Sequence, residues 1–548
     1  MKSKNLVIII FIAVFFRLWQ LGNVPPSPSL DEVSIGWNAY SILKTGMDEY
    51  GNKFPLLLRA YDDWRPALYV YTVLPFVKLF GLNVVNVRLP SVFLSIAVVY
   101  LTYLIAGLIF DNNKSKYRVS FINFSIGEVS AFLVAISPWH IYLSRLGHEA
   151  NLGLFFGIYM FLKSIYTAGK SHFLIWSAVC FLLSMYSYQS QKISTPIIIF
   201  GLIIIYFKEL LLSKKVVLLS IIVGVLLFIP LARISFSDEG LMRFKGTSVL
   251  NQDFRNQQAV NNYMVAVNSG DIFGKILNSP KIITTKVVAS NYLSHFNPRW
   301  LFYGTQKEDH KVPYMGLLHN WEMFLIVFGL YYLFKLKLDK KLIYLIGLLL
   351  LTSPLPAAIT TGAPHAMRSY MFIPVLQIIG GLGFIYLYIC AKKNSVDKLM
   401  VFIASVLVLF STLSLWKNYF IKFPMIHSKS FQYALSQSFE YVENNDDKYK
   451  KIIFSNQDDL YQSYMFFLYN TKYDPFVYLE DGGTKSGGYN ETHMFDKYEF
   501  RPIEWEKDKG IPNQLIIANS DEIPENVPIF KQFNYLDETI GVIMVKSL

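Results

Sequence analysis

The chain has 548 residues, 53% hydrophobic and only 16% charged, with a net charge of +12 and a mean hydropathy of +0.34. A soluble protein of this length carries nearer a quarter charged residues, so the composition excludes a soluble enzyme. The Lys/Arg excess lies in short clusters between apolar runs, as a positive-inside bias places it, and predicts no nucleic-acid partner.

The N-terminus opens with Lys2 and Lys4, followed by an apolar run over residues 6–21. Phe15, Phe16, Arg17, Leu18 and Trp19 stand where a signal peptidase would need small residues, which predicts a retained first span with a cytoplasmic N-terminus. Further apolar runs cover 90–110, 119–137, 149–167, 172–189, 195–208, 216–232, 317–335, 342–358, 369–390 and 399–416. Residues 66–82 form one more apolar stretch. If that stretch spanned, Lys114, Lys116, Arg118, Lys214, Lys215, the 335–341 cluster, Lys392 and Lys393 would all face outward. The charge bias therefore predicts a surface helix there, about eleven spans in all, and an extracytoplasmic C-terminus. Cys180 and Cys390 fall in predicted spans, and no disulfide framework or metal-ligand spacing is present.

This division gives a transmembrane domain over residues 1–417, with external loops at about 23–89 and 233–316, and an extracytoplasmic tail over 418–548. The tail reads as a small α/β domain: a helical pattern over 428–442, then strand-like runs at 451–455, 514–519 and 539–546. The chemistry is expected on the outer face, because every predicted cytoplasmic loop is short.

Four segments could carry that chemistry. The first is the adjacent pair Asp31 and Glu32, which reads equally as acids at a helix N-terminus capped by Ser29 or as a functional pair. Next comes Arg65 in the segment 61–69, opening the surface helix with Pro66 at its first position; phosphate binding and interfacial snorkelling both account for it. The third segment, 137–151, packs His140, Arg145, His148 and Glu149 into ten residues, where a structural Arg145–Glu149 pair is the plainer alternative. Last, His365 and Arg368 stand three apart at an expected helix start, which suits an anion or a capped, water-facing turn.

In order, spacing and membrane side, these segments resemble membrane glycosyltransferases of the C fold, in the branch of protein O-mannosyltransferases, lipid A aminoarabinose transferases and their bacterial relatives. The resemblance runs from Leu6 to about Trp416. It is carried by Asp31-Glu32, Trp64-Arg65-Pro66, the segments 87–91 and 137–151, and His365 to Arg368. It implies an all-α polytopic enzyme that moves a sugar from polyprenyl phosphate to an acceptor hydroxyl with inversion. Asp31 would be the general base, with Glu32 orienting the acceptor or supporting that base. Arg65, Arg368 and His365 would bind the donor phosphate, Glu149 would approach sugar or acceptor, and Arg145, His148 and His140 are further site candidates. Relatives often have Lys before a Pro-Pro pair, whereas this chain has Arg65 before Pro66-Ala67.

The implied partners are the lipid-linked donor, membrane lipid and an extracytoplasmic protein, lipid or polysaccharide acceptor, with no cofactor and no metal. An oligosaccharyltransferase, a lipid or sugar flippase or transporter, and a non-catalytic glycan-binding scaffold are the alternatives. Against the first, the tail has only Trp505 between two glutamates where a Trp-Trp-Asp motif is expected. Against the second, Gln189 and Gln191 cluster near an outer helix end rather than along a path across the membrane.

Overall fold

The computed structural model describes residues 4–61, 63–110, 118–119, 124–148, 153–249, 257–308, 310–335, 339–488 and 491–546. Every apolar run read from the sequence holds a helix, from Lys4–Leu18 to Asp397–Leu415. Among the described residues, five helices are long and apolar enough to cross a membrane: Val84–Phe110, Lys214–Ser235, Lys340–Ala358, Phe372–Lys393 and Asp397–His427. The pair Ile126–Ile136 and Pro138–Ser144, bent by 60°, makes a sixth if counted as one span. That bend falls at Ser137, which is extended before a proline that has no N–H to continue the ladder. The chain is thus a largely helical, multi-pass membrane protein with a C-terminal β-sheet domain.

Packing divides the chain into two compact units. The first comprises residues 1–13, 96–140 and 150–411. Its centre is the helix Phe372–Lys393, 78% buried, whereas Lys214–Ser235 is only 11% buried and turns its apolar side chains outward, as a lipid-facing helix does. Phe372–Lys393 crosses Glu322–Lys335 closely enough that a Cβ on Gly383 would lie 1.8 Å from the carbonyl oxygen of Leu325, the small-residue contact typical of helix crossings in lipid.

The second unit comprises residues 14–95, 141–149 and 412–548, so the first loop and the tail pack as one body. After α1 (Lys4–Leu18) comes α2 (Leu30–Thr45), started by a capping box between Ser29 and Glu32 and ended by Gly46 in the left-handed region. A hairpin of β1 (Leu57–Ala60) and β2 (Asp63–Pro66) then leads to α3 (Leu68–Phe80) and α4 (Val84–Phe110). Pro66 was expected to open a helix. Instead it ends β2, paired with Leu57, and the helix begins two residues later.

The tail folds as a six-stranded mixed sheet of β3 (Lys451–Phe454), β4 (His493–Phe495), β5 (Tyr498–Phe500), β6 (Gln514–Ala518), β7 (Lys531–Asn534) and β8 (Ile540–Lys546). The strand order is β4-β5-β3-β6-β8-β7, with β3 parallel to both its neighbours and the other pairings antiparallel. The predicted strands are β3, β6 and β8, and the predicted helix is present as Tyr433–Glu443, delayed by Gln432 at φ 47°. Its Phe439 joins Phe454 and Phe467 in an aromatic core on the sheet.

The tail is also the seat of α2. Trp37 Nε1 donates to the Tyr473 carbonyl at 3.3 Å, its ring meets Tyr478 edge-on, and a Cβ on Gly36 would lie 2.5 Å from the Tyr469 ring. Gly36→Val should therefore overpack this seam by about 1–3 kcal/mol, read as a lower thermal unfolding midpoint in detergent and faster proteolytic release of the tail.

Candidate active site

Asp31 and Glu32 sit side by side in the first turn of α2, yet their surroundings are opposite. Glu32 is fully buried, and its carboxylate accepts four hydrogen bonds. Oε1 receives Arg88 Nε and the Gly147 N–H, both at 2.7 Å; Oε2 receives Arg88 Nη2 at 3.0 Å and the Ser29 N–H at 2.8 Å. A carboxylate so occupied is an anchor rather than a proton acceptor. Asp31 keeps 57% of its side chain exposed and is held from one side by Arg65, whose Nη1 lies 3.1 Å from Oδ1. Arg65 is itself 6% exposed, and its Nη2 donates to Ser34 Oγ at 2.7 Å. The hairpin β1–β2 thus delivers a buried cation to an exposed acid, and Tyr61, at the hairpin turn, donates its hydroxyl to the Leu30 carbonyl.

Arg88 was quoted in the sequence only as part of a motif, and it is the residue on which this corner depends. Besides Glu32 it donates to the carbonyls of Leu21, Pro25 and Ser27. The available signal was an arginine inside a 27-residue apolar helix, which is costly unless partnered. Arg145 does a similar job: its guanidinium donates to the carbonyls of Phe16, Arg17 and Val24 and lies 5.0 Å over the Phe420 ring. Both arginines satisfy carbonyl oxygens at the end of α1 and in the segment after it. These carbonyls engage the Arg145 guanidinium, and Glu149, its expected partner in the structural alternative, lies outside the described residues.

The described histidines of this segment fall in different units. His148 is half-buried beside Gly147 in the second unit, whereas His140 belongs to the first, fully buried with its ring stacked on Tyr370.

His365 and Arg368 also belong to the first unit. They were expected in the first turn of a helix, but the helix begins only at Phe372 and the two residues lie in the turn before it. Arg368 Nη1 donates to Thr360 Oγ1 and the Thr361 carbonyl, and its backbone N–H reaches His365 Nδ1 at 3.4 Å. The His365 N–H donates to His295 Nε2 at 3.1 Å. His295 is pushed below the usual histidine range by burial, which keeps that nitrogen an acceptor while Nδ1 faces the Asn291 carbonyl. The His310 ring stands 4.8 Å from that of His365. Sequence reading passed over both His295 and His310, because nothing local ties them to residue 365.

Arg368 also lines a cavity of about 290 Å³ within this unit, together with Lys192, Gln189, Ser190, Thr247 and Thr360. Met185, Pro196 and Phe228 belong both to that cavity and to a larger apolar groove of about 760 Å³ along helices Phe173–Ser187, Gln191–Ile205 and Lys214–Ser235. Among the described residues, no three His, Cys, Asp or Glu side chains converge to hold a metal ion.

No protein-family profile matches the sequence, and no curated protein does. Among solved structures, the chain is similar to ArnT from Cupriavidus metallidurans bound to undecaprenyl phosphate, at a TM-score of 0.53 and 10% identity over 99% of this chain and 98% of that one. ArnT in the apo state gives 0.49 at 9% identity, over 98% and 96%. The archaeal oligosaccharyltransferase AglB from Archaeoglobus fulgidus, in complex with an inhibitory peptide and a dolichol-phosphate, gives 0.47 at 12% identity, over 85% of this chain and 63% of that one. This chain thus spans less than two thirds of the AglB length. What is shared with the first, over nearly all of both chains, is the C-type fold of membrane glycosyltransferases.

The two ion pairs, Glu32–Arg88 and Asp31–Arg65, should respond differently to being broken. Arg88→Ala, which strands Glu32 as a fully buried charge, should cost about 3–5 kcal/mol, whereas Asp31→Asn, which leaves an amide oxygen beside Arg65 at an exposed position, should cost less, about 1 kcal/mol; thermal unfolding of the purified protein in detergent measures both.

Proposed function

We propose that this chain is a glycosyltransferase that moves a hexose or pentose from polyprenyl phosphate to an acceptor hydroxyl on the outer face of the membrane, with inversion. The observation that carries the reading is the division of labour between adjacent carboxylates, Glu32 saturated by four hydrogen bonds and Asp31 exposed beside a buried cation. The acceptor oxygen attacks the anomeric carbon, the carbon–oxygen bond to phosphate breaks, and the electron pair leaves with the phosphate. Asp31 takes the hydroxyl proton, a role worth about 10²–10⁴ in rate. Arg65 orients that carboxylate and is close enough to Asp31 to meet the phosphate as its charge grows, where an aimed cation stabilises the transition state most. Glu32 supports the base through the backbone of α2. Glu149 and His148 remain candidates for the sugar or acceptor side.

The first unit supports the lipid side of the reading. A mostly apolar cavity that carries Arg368 and Lys192 on its wall, sharing side chains with a long apolar groove, suits a phosphate carrying an isoprenoid chain. His365, joined to Arg368 through Nδ1, lies beside that cation. The proposed topology is the one charge bias supports: about eleven spans, N-terminus inside, tail outside. Single cysteines introduced in a background lacking Cys180 and Cys390 test it. Position 485 should react with an impermeant maleimide in intact cells, and position 393 only after lysis.

With purified protein and radiolabelled polyprenyl-phosphate mannose or glucose, Asp31→Asn should lower transfer by about 100-fold or more while binding of polyprenyl phosphate is kept. Arg368→Ala and Lys192→Ala should weaken that binding. Undiminished transfer by Asp31→Asn would sink the assignment of the base. Movement of intact donor across vesicles without transfer would favour a flippase instead.

A further inference from the structure

Glu49 is an acid that the proposed reaction does not use, and it is fully buried between two segments of one unit that lie more than four hundred residues apart. Its Oε2 accepts the hydroxyls of Tyr464 at 3.0 Å and Thr484 at 2.9 Å, both from the tail. Its Oε1 accepts Asn38 Nδ2 at 3.0 Å, and its own N–H donates to Asn38 Oδ1 at 2.9 Å, so the middle of α2 is gripped twice. Backbone reinforces the joint: the Thr484 N–H donates to the Glu49 carbonyl at 2.9 Å, and Gly483, at φ +59°, brings its Cα where a Cβ would stand 2.7 Å from that same oxygen. From Asn38 the chain of hydrogen bonds runs on. Nδ2 reaches the Ser34 carbonyl at 2.9 Å, Ser34 Oγ receives Arg65 Nη2, and Arg65 Nη1 holds Asp31.

We propose that Glu49 is a positioning residue: it transmits the grip of the tail, through Asn38 and Ser34, to the Arg65–Asp31 pair. The inference rests on the reading of Asp31 as the base. A merely space-filling acid would be replaceable by any residue of its size; this one terminates donors from both sides, Asn38 in α2 and Tyr464 and Thr484 in the tail.

The joint should also respond to pH, because burial raises the Glu49 carboxyl to about 7. The fold then holds a proton that the unfolded chain has released, so stability is lost as pH rises from the ordinary carboxyl value through about 7. Below that, a neutral Glu49 can donate to Thr484, whose hydroxyl can turn to Tyr478 at 2.8 Å. The titratable groups around it are Asp48, Tyr50, Tyr61, Tyr464 and Tyr478, with Arg59 lying 4.9 Å over the Tyr50 ring. His493, stacked on Tyr464, is pushed down to about 4 by burial and stays neutral throughout this range.

Two measurements on the full-length protein in detergent test the proposal. In hydrogen exchange corrected for intrinsic rates, peptides over 30–38 and 482–488 should lose protection together as pH rises from about 6 to about 8.5, and Glu49→Gln should abolish that dependence. Thr484→Val with Tyr464→Phe should unprotect 30–38, although both substitutions lie in the tail. In transfer assays with polyprenyl-phosphate mannose and glucose run in parallel, kcat of the parent should fall about ten- to a hundredfold over the same rise, with KM for donor unchanged, and Glu49→Gln should flatten this alkaline limb. Unchanged protection of 30–38 in the tail variant, or an alkaline limb that survives in Glu49→Gln, overturns the proposal. Absence of transfer by the parent with either donor overturns the functional reading alone, since the exchange result stands without it.

Discussion

The ion pair between Glu32 and Arg88 is the constraint on which the second unit depends. Burying two charges is expensive, and the cost is offset only when every remaining donor and acceptor is used. Here they are: Glu32 takes the capping N–H of Ser29 and the N–H of Gly147, and Arg88 takes three carbonyls from the segment that follows α1. That segment contains Pro25, Pro26 and Pro28, so it cannot satisfy its own carbonyls as helix or sheet. Arg145 completes the arrangement by taking the carbonyls of Phe16, Arg17 and Val24. A turn with few internal hydrogen bonds is thereby made rigid by guanidinium groups arriving from two other parts of the chain.

Rigidity at this corner is what lets adjacent acids serve different ends. On a helix, successive residues point about a hundred degrees apart, so Glu32 can face the arginines while Asp31 faces outward to Arg65. The exposed acid is then held by a buried base-side partner whose second nitrogen is tied to Ser34, one helical turn along α2. Orientation of Asp31 therefore comes from the same helix that Glu32 anchors.

The tail extends this logic. Its helices Ser463–Asn470 and Pro475–Glu480 form a surface against which α2 is seated through Gly36 and Trp37, with Asn38 joined to the tail through Glu49. A domain after the last long helix and a loop after the first are thus one mechanical body, although the sequence between them is mostly the other unit.

How much of this was legible before the structure follows from the range of each interaction. Apolar runs could be read directly, because hydrocarbon imposes a minimum length that composition alone reveals. So could β3, β6 and β8, whose interior Ile, Leu and Val have nowhere else to go; β7, with the sequence Lys-Gln-Phe-Asn at a sheet edge, carried no such pattern. The capping box at Ser29 was local and readable, and so was the presence of acids and cations in the segments 29–32, 61–69, 137–151 and 365–368. What tertiary structure alone decided was pairing: that Glu32 meets Arg88 across 56 residues, that Arg145 serves the carbonyls of Phe16, Arg17 and Val24, and that Glu49 meets Tyr464 and Thr484. Charge type and membrane depth are properties of a residue and its neighbours in the chain. Hydrogen-bond partners depend on which segments pack together, and no spacing in the sequence encodes that.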